Sequence, residues 1–162
     1  PECAVREQQP PISIQWGGSQ QVKLANNGHS VVITPSKTGS MFISGQEYIL
    51  AQCHFHYASE HTVSEHVYDM SVHCVHEKVN PTDQYTHAVL GRFLHPIAGA
   101  SSFLGAFDNH LPSNPHMQDS GNEHSPSENL ESVSQFVGPI DLEELLAGAD
   151  MSAYWAYLGS LT

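Results

Sequence analysis

Two stretches of this 162-residue chain hold residue types that can do chemistry: Gln52-Cys53-His54-Phe55-His56 and Ser71-Val72-His73-Cys74-Val75-His76. In an extended strand successive side chains alternate between faces, so His54 and His56 point the same way. His73 on a neighbouring strand completes a three-nitrogen face. Three neutral imidazoles with one position left open are the ligand set of a catalytic zinc site. A closed structural zinc would need a fourth protein ligand. His76 is three positions from His73, so alternation puts it on the opposite face. Twelve histidines are spread along the chain, so a lone His-x-His would read as ordinary polar surface, and the elements around these residues decide the matter.

Those elements belong to one globular unit. Apolar residues make up 40% of the chain and charged residues only 14%, within the globular range. Seventeen acidic residues against five lysines and arginines leave a formal charge of −12. That balance excludes a nucleic-acid partner, which needs a basic stripe to displace counterions, and disfavours anionic membrane surfaces. No apolar run reaches the length of a membrane span. The first residue is Pro1, so a processed or partial chain is expected.

Strands are expected over Gln21–Leu24, His29–Thr34, Gln46–His56, His66–His76 and Thr86–Leu94, with an Asn26-Asn27-Gly28 turn between the first two. The last strand is apolar enough to be expected in the middle of a sheet. Residues 1–20 read as an irregular entry, a short helix is expected within Ala98–His110, and His110–Glu128 reads as a polar loop. Ile140–Ala147 suggests a helical turn closed by Gly148, and Tyr154–Leu161 an extended aromatic segment. The fold class is mainly β: a single domain with a large, mostly antiparallel central sheet and a few short helices.

With these segments read, the chain resembles the α-class carbonic anhydrases along nearly its whole length. Gln9-Pro10-Pro11-Ile12-Ser13-Ile14 is similar to the family's Q-S-P-I-x-I entry, and Asn26-Asn27-Gly28-His29-Ser30-Val31 to its N-N-G-H-S/T-V turn. Gln52 to Val63 resembles Q-x-H-F-H-x-x-S-E-H-T-V, and Tyr68 to His76 resembles Y-x-x-E-x-H-x-V-H. Ala88-Val89-Leu90-Gly91 and Tyr154 to Thr162 follow A-V-L-G and Y-W-x-Y-x-G-S-L-T. A cupin-like metal core would also use His54, His56 and Glu60. It wants glycine where Tyr48 and Val67 stand, however, and leaves the other segments unexplained.

The resemblance implies reversible hydration of carbon dioxide to bicarbonate and a proton. His54, His56 and His73 would hold Zn2+, whose bound hydroxide attacks the substrate. The lowering of the water's pKa to about 7 is established for carbonic anhydrases, not deduced from these residues. Gln52 and Ser71 would support the ligands from behind, and Glu60 with Thr162 would orient the hydroxide. His29 would relay protons, its ordinary pKa near 6.5 suiting that task. Val75, Val89 and Leu161 would line the apolar substrate pocket. His61 and Tyr157 are expected as buried hydrogen-bonding supports. Sulfonamides or anions are the expected inhibitors.

The chain departs from the family pattern in having Ser71 where the family has glutamate, in stopping at Thr162 where the family continues with T-P-P-C, and in lacking an aromatic cluster before the entry. The expected domain therefore spans 1–162 and is incomplete at both ends. The alternative reading is a carbonic-anhydrase-like zinc-binding scaffold, or an accessory subunit of a larger assembly, with weak or no activity. The resemblance also implies that Cys3 pairs with a cysteine beyond Thr162, and hence an extracytoplasmic location: secreted, periplasmic or an organelle lumen. Cys53 and Cys74 are expected as free, buried thiols, because cross-strand geometry rarely suits a relaxed bridge.

Overall fold

The computed structural model describes residues 9–95, 102–107, 109–113 and 133–159. Cys3, Leu161 and Thr162, and the expectations resting on them, lie outside the described residues.

One antiparallel sheet dominates. Its longest strand, β5 (Gln46–His56), runs through the middle. β8 (Met70–Lys78) pairs with one side of β5, opposing His54 to His73 and Cys53 to Cys74. The other side of β5 is shared. Its first half pairs with β4 (Ser40–Ile43), and its histidine-bearing half meets β3 (Val31–Pro35) at Val32 and Ile33. β1 (Ile12–Gln15) extends the sheet beyond β4, while β2 (Gln20–Asn26) and β10 (Val133–Ile140) extend it beyond β3. The mainly β, antiparallel expectation holds.

Four local expectations change. The entry segment contains a regular strand, β1. The expected His66–His76 strand is split into β7 (His66–Val67), which forms a small hairpin with β6 (Thr62–Val63), and β8. The cause lies at Tyr68, whose backbone N–H donates to Ser59 Oγ and whose carbonyl accepts from Ser59 N, leaving it outside the main ladder. β9 (His87–Leu94), expected to be central, pairs only with β8 among the described residues and forms a sheet edge. Its apolar character reports one buried face, not the number of strand neighbours. Residues 154–159 carry no regular strand.

The core lies on the sheet face away from His54 and His73. Trp16, Val22, Leu24, Ile33, Val72 and Leu142 are buried there. Trp16 is tied in by its indole N–H, which donates to His76 Nε2 at 3.1 Å, and by its backbone N–H, which donates to Glu143 Oε1 at 2.9 Å. Helix α1 (Ser102–Gly105) and a 3-10 helix (Leu142–Leu146) cover this face with Phe103, Leu142 and Leu145. Asp141 caps the 3-10 helix by accepting from Glu143 N, and Arg92 closes its far end on the carbonyls of Leu145 and Ala147.

Cys53 and Cys74 form a disulfide in place of the two free thiols expected. They stand directly opposite each other with Cα atoms 4.0 Å apart, close to the narrow pairs of an antiparallel ladder. The register, not the local sequence, brings the sulfurs together.

Candidate metal centre

Alternation along β5 and pairing with β8 place His54, His56 and His73 on one face, with one potential ligand nitrogen from each lying within 4.8 Å of the others. The ring centroids are 4.6 to 5.5 Å apart. His54 and His56 are half-buried and His73 is buried.

Gln52 precedes His54 by two residues on the same face, and its Oε1 lies 2.9 Å from His54 Nδ1. With the amide oxygen as acceptor, Nδ1 carries the proton and Nε2 keeps its lone pair for a metal, the usual way a partner fixes a ligand's tautomer. Nε2 of His56 and Nε2 of His73 are buried and have no protein partner. Orphaned buried nitrogens of this kind call for a partner. A donor set of three imidazoles suits zinc, so the residues present fit the ion.

Burial favours the neutral form of two of the three imidazoles. Burial, then the neighbouring His56, lowers the pKa of His54, against an opposing pull from Glu60. His73 is lowered to about 4, by burial first and then by His56, His54 and His61. Unprotonated imidazole is the form that binds a metal.

Glu60 is held over the same face. Ser59, beside it, exchanges two backbone-directed hydrogen bonds with Tyr68 and donates its hydroxyl to the carbonyl of His61. That anchors the turn so that Glu60 Oε1 lies 3.3 Å from His56 Nδ1 and Oε2 lies 3.6 Å from His73 Nδ1. The direct contact of Glu60 with both histidines is beyond what the sequence reading assigns to it. The only sequence signal for it is the four-residue spacing from His56.

Ser71 is buried beside His56 in the ladder, and its hydroxyl has no protein partner. Gly91 faces His73 from β9, where a Cβ would come 3.3 Å from the imidazole Cδ2. The missing side chain leaves room for the ring. Val75 and Val89 oppose each other one step along the same face, half-buried and exposed respectively. His29 is exposed in the β2–β3 turn, which Asn27 Oδ1 organises by accepting from the backbone N–H groups of His29 and Ser30. His61 and Tyr157 hydrogen-bond to each other, but Tyr157 is exposed, not buried as expected. His76, on the other face, is core. An open hollow lined by Pro11, Ser13, Gln15, Phe42 and Gly45 lies away from the histidines, and the site is defined by its converging ligands.

The chain belongs to the carbonic anhydrase family: the model of eukaryotic-type carbonic anhydrases matches residues 2–162. It is 28% identical over 141 residues to alpha carbonic anhydrase 2 of Arabidopsis thaliana, covering 86% of this chain and 49% of that protein. It is 31% identical over 140 residues to dioscorin DB3L of Dioscorea polystachya, covering 86% and 44%. The chain thus spans about half the length of the curated relatives it matches. Among solved structures, the α-carbonic anhydrase of Photobacterium profundum superposes with a TM-score of 0.66 at 19% identity, covering 90% of this chain and 57% of that one. The Thermovibrio ammonificans enzyme, solved with the inhibitor sulfanilamide, gives 0.58 at 29% identity, covering 67% and 45%. No helix among the described residues is long and apolar enough to cross a membrane.

Proposed function

We propose that this chain is the metal-binding part of a zinc-dependent carbonic anhydrase, which interconverts carbon dioxide with bicarbonate and a proton. The observation that carries the reading is the convergence of His54, His56 and His73 on one face, with Gln52 fixing the first ligand's tautomer. Zinc held there supplies a Lewis acid that makes water a nucleophile near neutral pH, as is established for carbonic anhydrases.

The chain's own residues would do the rest. Gln52 supports His54 from behind, and Ser71, whose hydroxyl has no protein partner, would reach His73 through a bridging water. Glu60, poised over His56 and His73, would accept a hydrogen bond from the Thr162 hydroxyl and so orient the attacking oxygen. Val75 and Val89, with Leu161, offer apolar surface to a nonpolar gas. His29, at the surface, passes the released proton to buffer. Sulfonamides and inorganic anions would compete at the open metal position. The Cys53–Cys74 disulfide supports an extracytoplasmic location, since disulfides persist in oxidising compartments.

The second reading, a zinc-binding scaffold or accessory subunit with weak activity, draws on Ser71, whose short uncharged side chain replaces a carboxylate behind His73. Stopped-flow hydration of carbon dioxide by the native protein tests both. Sulfonamide-sensitive hydration that disappears in His73→Ala supports the enzyme. Stoichiometric zinc with no hydration supports the scaffold.

A further inference from the structure

The two strands that present the histidines are joined by one covalent bond, and it adjoins the ligands in sequence. Cys53 precedes His54 and Cys74 follows His73, so the disulfide and the His54–His73 pair are consecutive rungs of the β5–β8 ladder. The bond spans a separation of 21 residues, a segment that contains all three histidines and Glu60. Both cysteines are buried in the core, with Ile33 and Leu90 as their partners on β3 and β9. On its other side, the histidine-bearing half of β5 is held by β3 at only Val32 and Ile33. The positions of His54 and His56 relative to His73 therefore depend on the β5–β8 pairing.

We propose that the Cys53–Cys74 disulfide is a staple that sets the metal affinity of the His54–His56–His73 face. The inference rests on the metal-binding reading above. A metal needs three nitrogens at fixed spacing, and the cost of ordering them is lower when they are already in place. A one-residue slip of either strand would turn its ligands to the wrong face. A covalent link one residue from His54 and one from His73 forbids the slip and limits separation of the strands. In the reducing direction a dithiol transfers two electrons and two protons. The Cys53–Cys74 bond breaks, each sulfur leaves as a thiol, and the reductant closes its own disulfide. Oxidation reverses the exchange.

The test uses the whole chain, stripped of metal and air-oxidised. Alkylation followed by mass spectrometry counts thiols at Cys53 and Cys74. Zinc affinity is measured by competition with a chromophoric chelator, and cobalt(II) absorption reports ligand geometry. Both are repeated after reduction by a water-soluble phosphine, which takes up oxygen from water as the two thiols form, and in Cys53→Ala/Cys74→Ala. The expected result is no free thiol at either position before reduction, and zinc binding weaker by about tenfold or more after it. The double variant should match the reduced protein and ignore the phosphine. Equal zinc affinity in the oxidised and reduced chains, or free thiols in the oxidised chain, overturns the inference and leaves the metal reading intact. Failure of both forms to bind zinc or cobalt overturns the metal reading and the inference with it. Near-UV circular dichroism accompanies each measurement. Collapse of that signal on reduction overturns the staple in favour of a bond that merely stabilises the fold. Should the double variant not fold, the oxidised and reduced forms of the unaltered chain decide.

Discussion

The two faces of the β5–β8 pair are built from alternate residues of the same strands, yet they carry opposite chemistry. One presents Gln52, His54, His56, Ser71 and His73. The other buries Cys53, Val72, Cys74 and His76 and half-buries Phe55. A histidine on each face makes the contrast sharp. His73 and His76 are both buried, and burial lowers each to a pKa of about 4. His76 accepts the Trp16 indole N–H, stacks on that ring at 5.7 Å and serves packing. His73 faces three other imidazoles, those of His54, His56 and His61, and a carboxylate. Desolvation alone makes a neutral histidine. Convergence with other donors makes a candidate site.

The largest effect should come from breaking the ligand face. His73→Ala is expected to lower zinc retention by at least about a hundredfold, read by metal analysis after dialysis, while the far-UV spectrum is kept. The corresponding cut on the core face, Val72→Ala, should destabilise the fold by about 2 kcal/mol in denaturant titration and leave zinc stoichiometry unchanged. Loss of zinc in Val72→Ala at full folding would mean that the two faces are not separable.

Acid should act on the core histidine with a definite sign. His76 has a folded pKa near 4 against about 6.5 when unfolded. The unfolded chain therefore binds the extra proton first, and stability falls as pH drops from about 6.5 toward 4. The contribution at pH 5 is a loss of about 2 kcal/mol relative to neutral pH. His76→Gln, which keeps an acceptor for Trp16 and cannot titrate there, should flatten the difference between denaturation curves at pH 7 and pH 5 by that amount. An unchanged slope would assign the acid sensitivity to other groups.

The smallest expected change sharpens the ligand face. Ser71→Glu should tighten zinc by up to about tenfold in a chelator competition, because a charged acceptor behind His73 makes it a better donor. Weaker zinc in that variant would show that the buried Ser71 position cannot take a carboxylate.

Much of the ligand face was legible in the letters. A period of two needs no tertiary information, so His54, His56 and Gln52 had to share a face once Gln46–His56 was a strand, and His76 had to turn away from His73. The turn at Asn26-Asn27-Gly28 was equally plain, since Gly28 takes a positive φ of 87° there. β10 was not foreseen. Gly138-Pro139 interrupts it, its register shifts between Val137 and Ile140, and Pro is normally a mark against a regular strand. The break at Tyr68 was hidden for a related reason: it depends on Ser59, nine residues away, supplying partners outside the ladder.

By itself the sequence determined the strand periodicity, the identity of the three imidazoles and the common face of His54 and His56, because these follow from local backbone geometry. Only the tertiary structure decided which residues stand opposite one another. The β5–β8 register set Cys53 against Cys74 and His54 against His73, left β9 with one described neighbour, and the Ser59 anchor brought Glu60 over two histidines. The physical reason is that register and turn placement are settled by burial summed over whole strands and by hydrogen bonds between distant segments, which no local pattern of residues encodes.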